Sequence, residues 1–185
     1  MKNAWLLHGT GGSGSDYFWF SDTKDFLESE GYQVWWPALP NTNDPNINET
    51  LDFIRNNSPE LTEETIIIGH SSACPVILEF IKYSDTKAKQ VILVGGYYEK
   101  LGDSEKSKQM LPDKFDWGRI KIQSKEFILI NSDDDPWQCH DKQAREPAIK
   151  LGAKLIVNTG QGHMGSINFG QPYRQFDLLK KLIDV

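Results

Sequence analysis

The feature that most constrains this chain is a set of short apolar runs with no in-out alternation. "TIIIG" at 65–69, "VILVG" at 91–95 and "FILIN" at 127–131 are the clearest. A strand with one wet face alternates apolar and polar residues, whereas a strand buried on both faces reads as a continuous β-branched run. Such strands belong in the middle of a parallel sheet, and parallel neighbours need crossover connections, usually helices. The strand candidates are Ala4–His8, Gln33–Trp36, Thr65–Gly69, Val91–Gly95, Phe127–Asn131 and Lys154–Asn158.

Helical patterns fall between them. Tyr17–Glu30 stops at Gly31, and Gln138–Leu151 stops at Gly152. Asn48–Asn57 carries Leu51 and Ile54 at helical spacing and ends before Pro59. Ala73–Tyr83 places Val76, Ile77, Phe80 and Ile81 on one face, and Pro172–Ile183 closes the chain. Strand-helix alternation with right-handed crossovers gives a doubly wound α/β sheet with helices on both faces. No repeat, low-complexity tract or linker divides the 185 residues, so residues 1–185 are expected to form a single domain. Gly102–Ile120 is the one long segment read as irregular.

Composition narrows the function classes. A net charge of -6 and the absence of any Lys/Arg run argue against a nucleic-acid surface. No segment approaches the ~20 apolar residues of a membrane span. The opening "MKNAWLLHGTGG" has too short an apolar run for a signal peptide. Cys74 and Cys139 make no disulfide framework, so a cytoplasmic setting is expected.

The run at 65–69 ends abruptly in "GHSSACP". Gly69-His70-Ser71-Ser72-Ala73 fits G-x-S-x-G with Ala in the last place. That pattern is a nucleophile elbow, a tight strand-to-helix turn that exposes a serine Oγ above the sheet. The residues two before and two after the serine must be small; Ala73 adds one methyl. Pro75 falls in the helix's first turn, where its missing N–H costs little. The plainer reading is that Ser71 and Ser72 only cap the helix. The rest of the chain decides between them. A nucleophilic serine needs a base and a group to orient it, in the chain order Ser, Asp or Glu, His on this fold. "SDDDPW" places Asp133, Asp134 and Asp135 after the fifth strand, and "GQGHMG" places His163 after the last. A solvated turn and an exposed loop histidine are the plain readings of each alone. An oxyanion hole takes the N–H of Ser72 and one from the early loop "HGTGG", at Thr10 or Gly11.

Together "TIIIGHSSACP", "VILVGGYYEKLGD", "SDDDPW" and "GQGHMG" resemble the small serine hydrolases of the retinoblastoma-binding-protein type, whose small bacterial members are called YdeN-like. The resemblance covers nearly the whole chain. It implies an α/β-hydrolase fold, a three-layer α/β/α sandwich with a mainly parallel sheet and no lid domain. It also implies a triad of Ser71 as nucleophile, His163 as base and Asp135, directly before Pro136, as acid, with Asp134 the alternative. The chain departs from the family at Ala73. It also lacks the Leu-x-Cys-x-Glu motif, so binding to retinoblastoma-type pocket proteins is not expected.

Three rivals stand beside the hydrolase reading. Gly9, Gly11 and Gly14 spell a dinucleotide fingerprint, but the second strand ends in Trp35-Trp36-Pro37 with no acid for a ribose. Ser15 after Gly14 also excludes a P-loop. Cys139, His140 and Asp141, or Asp133 with Asp135, would be candidates for a metal, but adjacent residues rarely share one ion. The third rival is a binding protein that keeps the fold without activity. On the hydrolase reading no metal or cofactor is expected, and the partner is a small ester or amide. Tyr17, Trp19, His70, Tyr97, Tyr98, Trp137 and Met164 are expected to line the substrate site, with Phe18 in the core. Those aromatics favour an apolar acyl or leaving group over a charged one.

Overall fold

The computed structural model describes residues 2–11 and 17–185. Six parallel strands form one sheet in the order β2-β1-β3-β4-β5-β6. The strands are β1 (Asn3–Leu7), β2 (Gln33–Trp35), β3 (Ile66–His70), β4 (Gln90–Val94), β5 (Phe127–Asn131) and β6 (Lys154–Val157). All six fall within a residue or two of the expected runs. The four central strands are buried along their whole length, while β2 and β6 at the edges are half-buried. The apolar pattern follows this directly, since only a strand covered on both faces has no polar side.

Alternate strand residues feed two cores. Trp5, Leu7, Ile67, Val91, Leu93 and Leu129 face one side. Ala4, Leu6, Ile66, Ile68, Ile92 and Ile130 face the other. On the first side lie α2 (Ile47–Asn57), α3 (Ala73–Ile81) and α6 (Asp141–Leu151); on the second lie α1 (Phe20–Ser29) and α7 (Asp177–Leu182). This is the α/β-hydrolase sandwich. Among the described residues no helix is long and apolar enough to cross a membrane.

Three helices begin later than their patterns predict. Phe18 at φ +48 and Gln138 at φ +67 stand in the left-handed region, which breaks α1 and α6 away from the turns before them. Tyr173 at φ +38 does the same ahead of α7. The segment read as irregular holds two short helices, α4 (Glu105–Gln109) and α5 (Trp117–Lys121). Their N-caps are Ser104, accepting from Ser107 N–H, and Asp116, accepting from Arg119 N–H. Each cap is worth about 1 kcal/mol, which matters for helices of a single turn.

Candidate active site

The chain visits β2 between β1 and β3, yet β1 and β3 are neighbours. The strand order therefore reverses there. Loops at the carboxyl ends of two such strands diverge and leave a crevice. The loop after β1 carries His8 to Gly11, and the turn after β3 carries Ser71.

Ser71 stands at φ +55, a conformation costly for any residue with a Cβ. Its backbone is pinned on both sides. Its N–H donates to Val94 O at 2.9 Å, and its carbonyl accepts from Cys74 N–H at 3.0 Å at the start of α3. The neighbours must be small. A Cβ on Gly69 would lie 2.3 Å from Ile77 Cδ1, and one on Gly9 would lie 2.7 Å from Ser71 Cβ. The methyl of Ala73 is accommodated in the core. The geometry is that of an elbow and not of an ordinary cap, since Ser72 makes no side-chain cap bond to α3.

The early loop is held by His8. Its Nε2 accepts from Leu39 N–H at 3.0 Å, which leaves the proton on Nδ1, 2.8 Å from Gly9 O. Burial holds this imidazole below the usual histidine range, so it stays neutral. Gly11 N–H donates to Thr42 O at 3.1 Å. Of the three oxyanion candidates, Gly11 is thus already engaged, while Thr10 and Ser72 have N–H groups with no acceptor among the described residues.

On the other side of the crevice, the three aspartates do three different things. Asp133 accepts from Gly160 N–H at 2.9 Å. Asp134 accepts from Gly162 N–H at 2.8 Å and from Ser132 Oγ, and these bonds hold its carboxyl below the usual range. Both anchor the loop that carries His163. Asp135 is the one that meets the imidazole, with Oδ2 2.6 Å from His163 Nδ1, and its other oxygen accepts from Trp137 N–H at 2.8 Å. Both side chains of the pair are almost fully buried.

His163 is held from beneath as well. Its N–H donates to Gln171 Oε1 at 2.9 Å, and its carbonyl accepts from His70 Nε2 at 2.9 Å. Burial, then the nearby His163 ring, push His70 down to about 3, so it is a neutral donor with its proton on Nε2. Trp19 Nε1 donates to Met164 O at 2.9 Å. Ser71 and His163 line the same cavity of about 540 Å³ without a hydrogen bond between their side chains. Such contacts tighten when substrate binds.

Of the expected lining residues, Tyr17, Tyr97 and Trp137 do line this cavity. Four do not. Trp19, His70 and Met164 are packed below the loops that carry Ser71 and His163, and Tyr98 turns toward a second cavity beside Phe115 and Trp117. Proximity in sequence does not decide this, because a strand or turn sends successive side chains to opposite faces. Phe18 both packs in the core and lines the cavity. The supports at His8, Asn131 and Gln171 carry no local signal. Asn131, whose Nδ2 donates to Gly96 O and Cys139 O, reads simply as the end of a strand.

The metal candidates separate. Asp133 is taken up by Gly160 N–H and Asp135 by His163 Nδ1, and Asp141 pairs with Arg145 at 2.6 Å. Cys139 alone approaches the pair, with ligand atoms of Asp135, Cys139 and His163 within 4.8 Å of one another. Burial and then Asp135 hold its thiol well above the usual range, hence protonated. Nδ1 and Oδ2 at 2.6 Å stand at hydrogen-bond distance, against about 3.3 Å between two ligands of a tetrahedral zinc. The dinucleotide reading rests partly on Gly14, which lies outside the described residues.

A strained serine at the strand-order reversal, facing a buried Asp–His pair, defines a hydrolase-type site on an α/β-hydrolase fold. The serine hydrolase family model matches residues 4–183, and the chain belongs to that family. It is 29% identical to serine hydrolase RBBP9 of Rattus norvegicus over 167 residues, 89% of this chain and 87% of that one. It is 28% identical to YdeN of Bacillus subtilis over 136 residues, 72% and 71% of the two chains. The crystal structure of the B. subtilis ydeN gene product superposes with a TM-score of 0.88 at 24% identity, covering 98% of this chain and 96% of that one. The protein is a serine hydrolase by family.

Proposed function

We propose that the protein cleaves small esters or amides through an acyl-enzyme intermediate, with Ser71 as nucleophile, His163 as general base and Asp135 as the acid that orients it. His163 Nε2 takes the Ser71 proton as Oγ attacks the carbonyl carbon. The developing oxyanion is met by the N–H groups of Ser72 and Thr10. Imidazolium then returns the proton to the leaving alcohol or amine. Water enters by the same route to release the acid. Asp135 holds the tautomer with hydrogen on Nδ1 and stabilises the imidazolium.

The observation that carries this reading is Ser71 at φ +55 across one cavity from a histidine bonded to a buried aspartate. A fluorophosphonate probe followed by peptide mapping tests it. The expected product is a single adduct on Ser71, absent in Ser71→Ala. No adduct, or one on another residue, overturns the mechanism.

A further inference from the structure

The cavity that holds Ser71 and His163 has a mixed lining. Tyr17, Phe18, Trp137 and Ile167 are apolar members of it. Thr42, Asn43, Ser104 and Lys106 are polar ones. Among the described lining residues no carboxylate occurs, and the Lys106 ammonium is the one permanent charge. This is notable in a chain of net charge -6.

Lys106 also lacks the partner its neighbour has. Lys100 pairs with Glu105 at 2.5 Å on the same segment. Lys106 Nζ instead donates to a neutral carbonyl, Asn43 O, at 2.7 Å, and forms no ion pair among the described residues. An ammonium has three donors, so others remain for a ligand. Its position is not left to chance. Ser104 caps α4, and Ser107 Oγ, which accepts from Leu101 N–H at 3.0 Å, donates to Ser104 O at 2.8 Å. The short helix is thereby fastened to the chain before it, with Lys106 turned to the cavity.

We propose that Lys106 selects substrates that carry a free carboxylate away from the scissile bond, such as monoesters or monoamides of dicarboxylic acids. This rests on the hydrolase reading and names its substrate class. The apolar side chains of the lining take the methylene chain and the ammonium takes the far carboxylate. A charge-assisted bond at an exposed lysine gives a preference of roughly fivefold to tenfold, screened by salt.

The test compares 4-nitrophenyl hydrogen adipate and suberate with their neutral methyl esters, in wild type, Lys106→Met and Lys106→Glu. The readout is the ratio of kcat/KM for the acid over its methyl ester, which cancels any loss of folded protein. The wild-type ratio is expected near five to ten for at least one chain length, carried mainly by KM. It should fall toward one in Lys106→Met, below one in Lys106→Glu, and shrink with added salt. Turnover of the methyl esters with a wild-type ratio of one, or a preference that survives in Lys106→Met, overturns the proposal and leaves the hydrolase reading standing. No turnover of any ester together with no fluorophosphonate adduct at Ser71 overturns both.

Discussion

Ser71 and His163 face each other across one cavity, but the loops that carry them are held in different ways. The Ser71 turn is shaped mainly by neighbours close in sequence, since Gly69 abuts Ile77 and the Ser71 carbonyl opens α3, while Gly9 and the Val94 carbonyl close it from the adjacent strands. The His163 loop is held by groups far along the chain. Asp133, Asp134 and Gln171 take its N–H groups, His70 takes its carbonyl, and Trp19 takes the carbonyl of Met164. A nucleophile exposed on a strained turn needs a rigid local frame. A base needs two ring nitrogens aimed at once, which only a surrounding network can do.

Substitutions that separate the two frames sharpen the contrast. The largest loss is expected for Ser71→Ala, on the order of 10⁴ to 10⁶ in kcat, while Ser72→Ala keeps most activity because its backbone N–H is retained. Steady-state kinetics with an activated ester would show it, and equal losses in both variants would misplace the nucleophile. Next comes Asp135→Asn, at about 10⁴ in kcat, because the amide favours the wrong histidine tautomer. Asp134→Asn should leave kcat far closer to wild type and cost about 1 kcal/mol in urea unfolding, since it loosens the loop and not the imidazole. If Asp134→Asn were the inactive variant, the structural roles of the two aspartates would have to be exchanged.

Gly9→Ala tests the steric frame. The added methyl would meet Ser71 Cβ at 2.7 Å, so the first loop must back away by a few tenths of an ångström or more. A drop of about 10²-fold in kcat with little change in thermal midpoint is expected, because small displacements of reacting groups are costly. Unchanged kcat would show that the frame yields more readily than the contact implies.

The smallest effect concerns the network side and reads out as stability against pH. His70 is pushed down to about 3 in the fold, against about 6.5 for a free histidine. The unfolded chain therefore binds a proton that the folded chain refuses. The contribution is full above pH 6.5 and is lost at about 1.4 kcal/mol per unit as pH falls below it, on the order of 2 kcal/mol by pH 5. His8 acts in the same direction. Denaturant unfolding from pH 7.5 to 5 should show this slope in wild type and a shallower one in His70→Gln. Equal slopes would mean that the buried imidazole is not the group responsible.

Much of the fold was legible because burial on both faces leaves a one-dimensional trace. "TIIIG", "VILVG" and "FILIN" lie in β3, β4 and β5, and the six strand runs match to within a residue or two. The elbow was legible because its constraint is local, with small residues flanking a serine between a strand and a helix. Helix starts were less so. Phe18, Gln138 and Tyr173 adopt positive φ, which helix propensity does not encode. The caps at Ser104 and Asp116 leave signals in "GDSEKSK" and "FDWGR", but helices of one turn have no apolar period to accompany them.

The sequence by itself determined the parallel sheet, the elbow at Ser71 and the chain order of serine, aspartates and histidine. Each of these follows from residues within one element or from the order of elements. The resemblance named Asp135 and left Asp134 open; the tertiary structure decided which aspartate meets His163, that the Gly11 N–H is already taken by Thr42 O, and which aromatics face the cavity. Asp133, Asp134 and Asp135 are equivalent in composition and adjacent in sequence. What separates them is the direction of each carboxylate once β5 and β6 are paired and the 158–165 loop crosses above them. Side-chain direction at a loop is set by contacts between segments distant in sequence, and no periodicity records it.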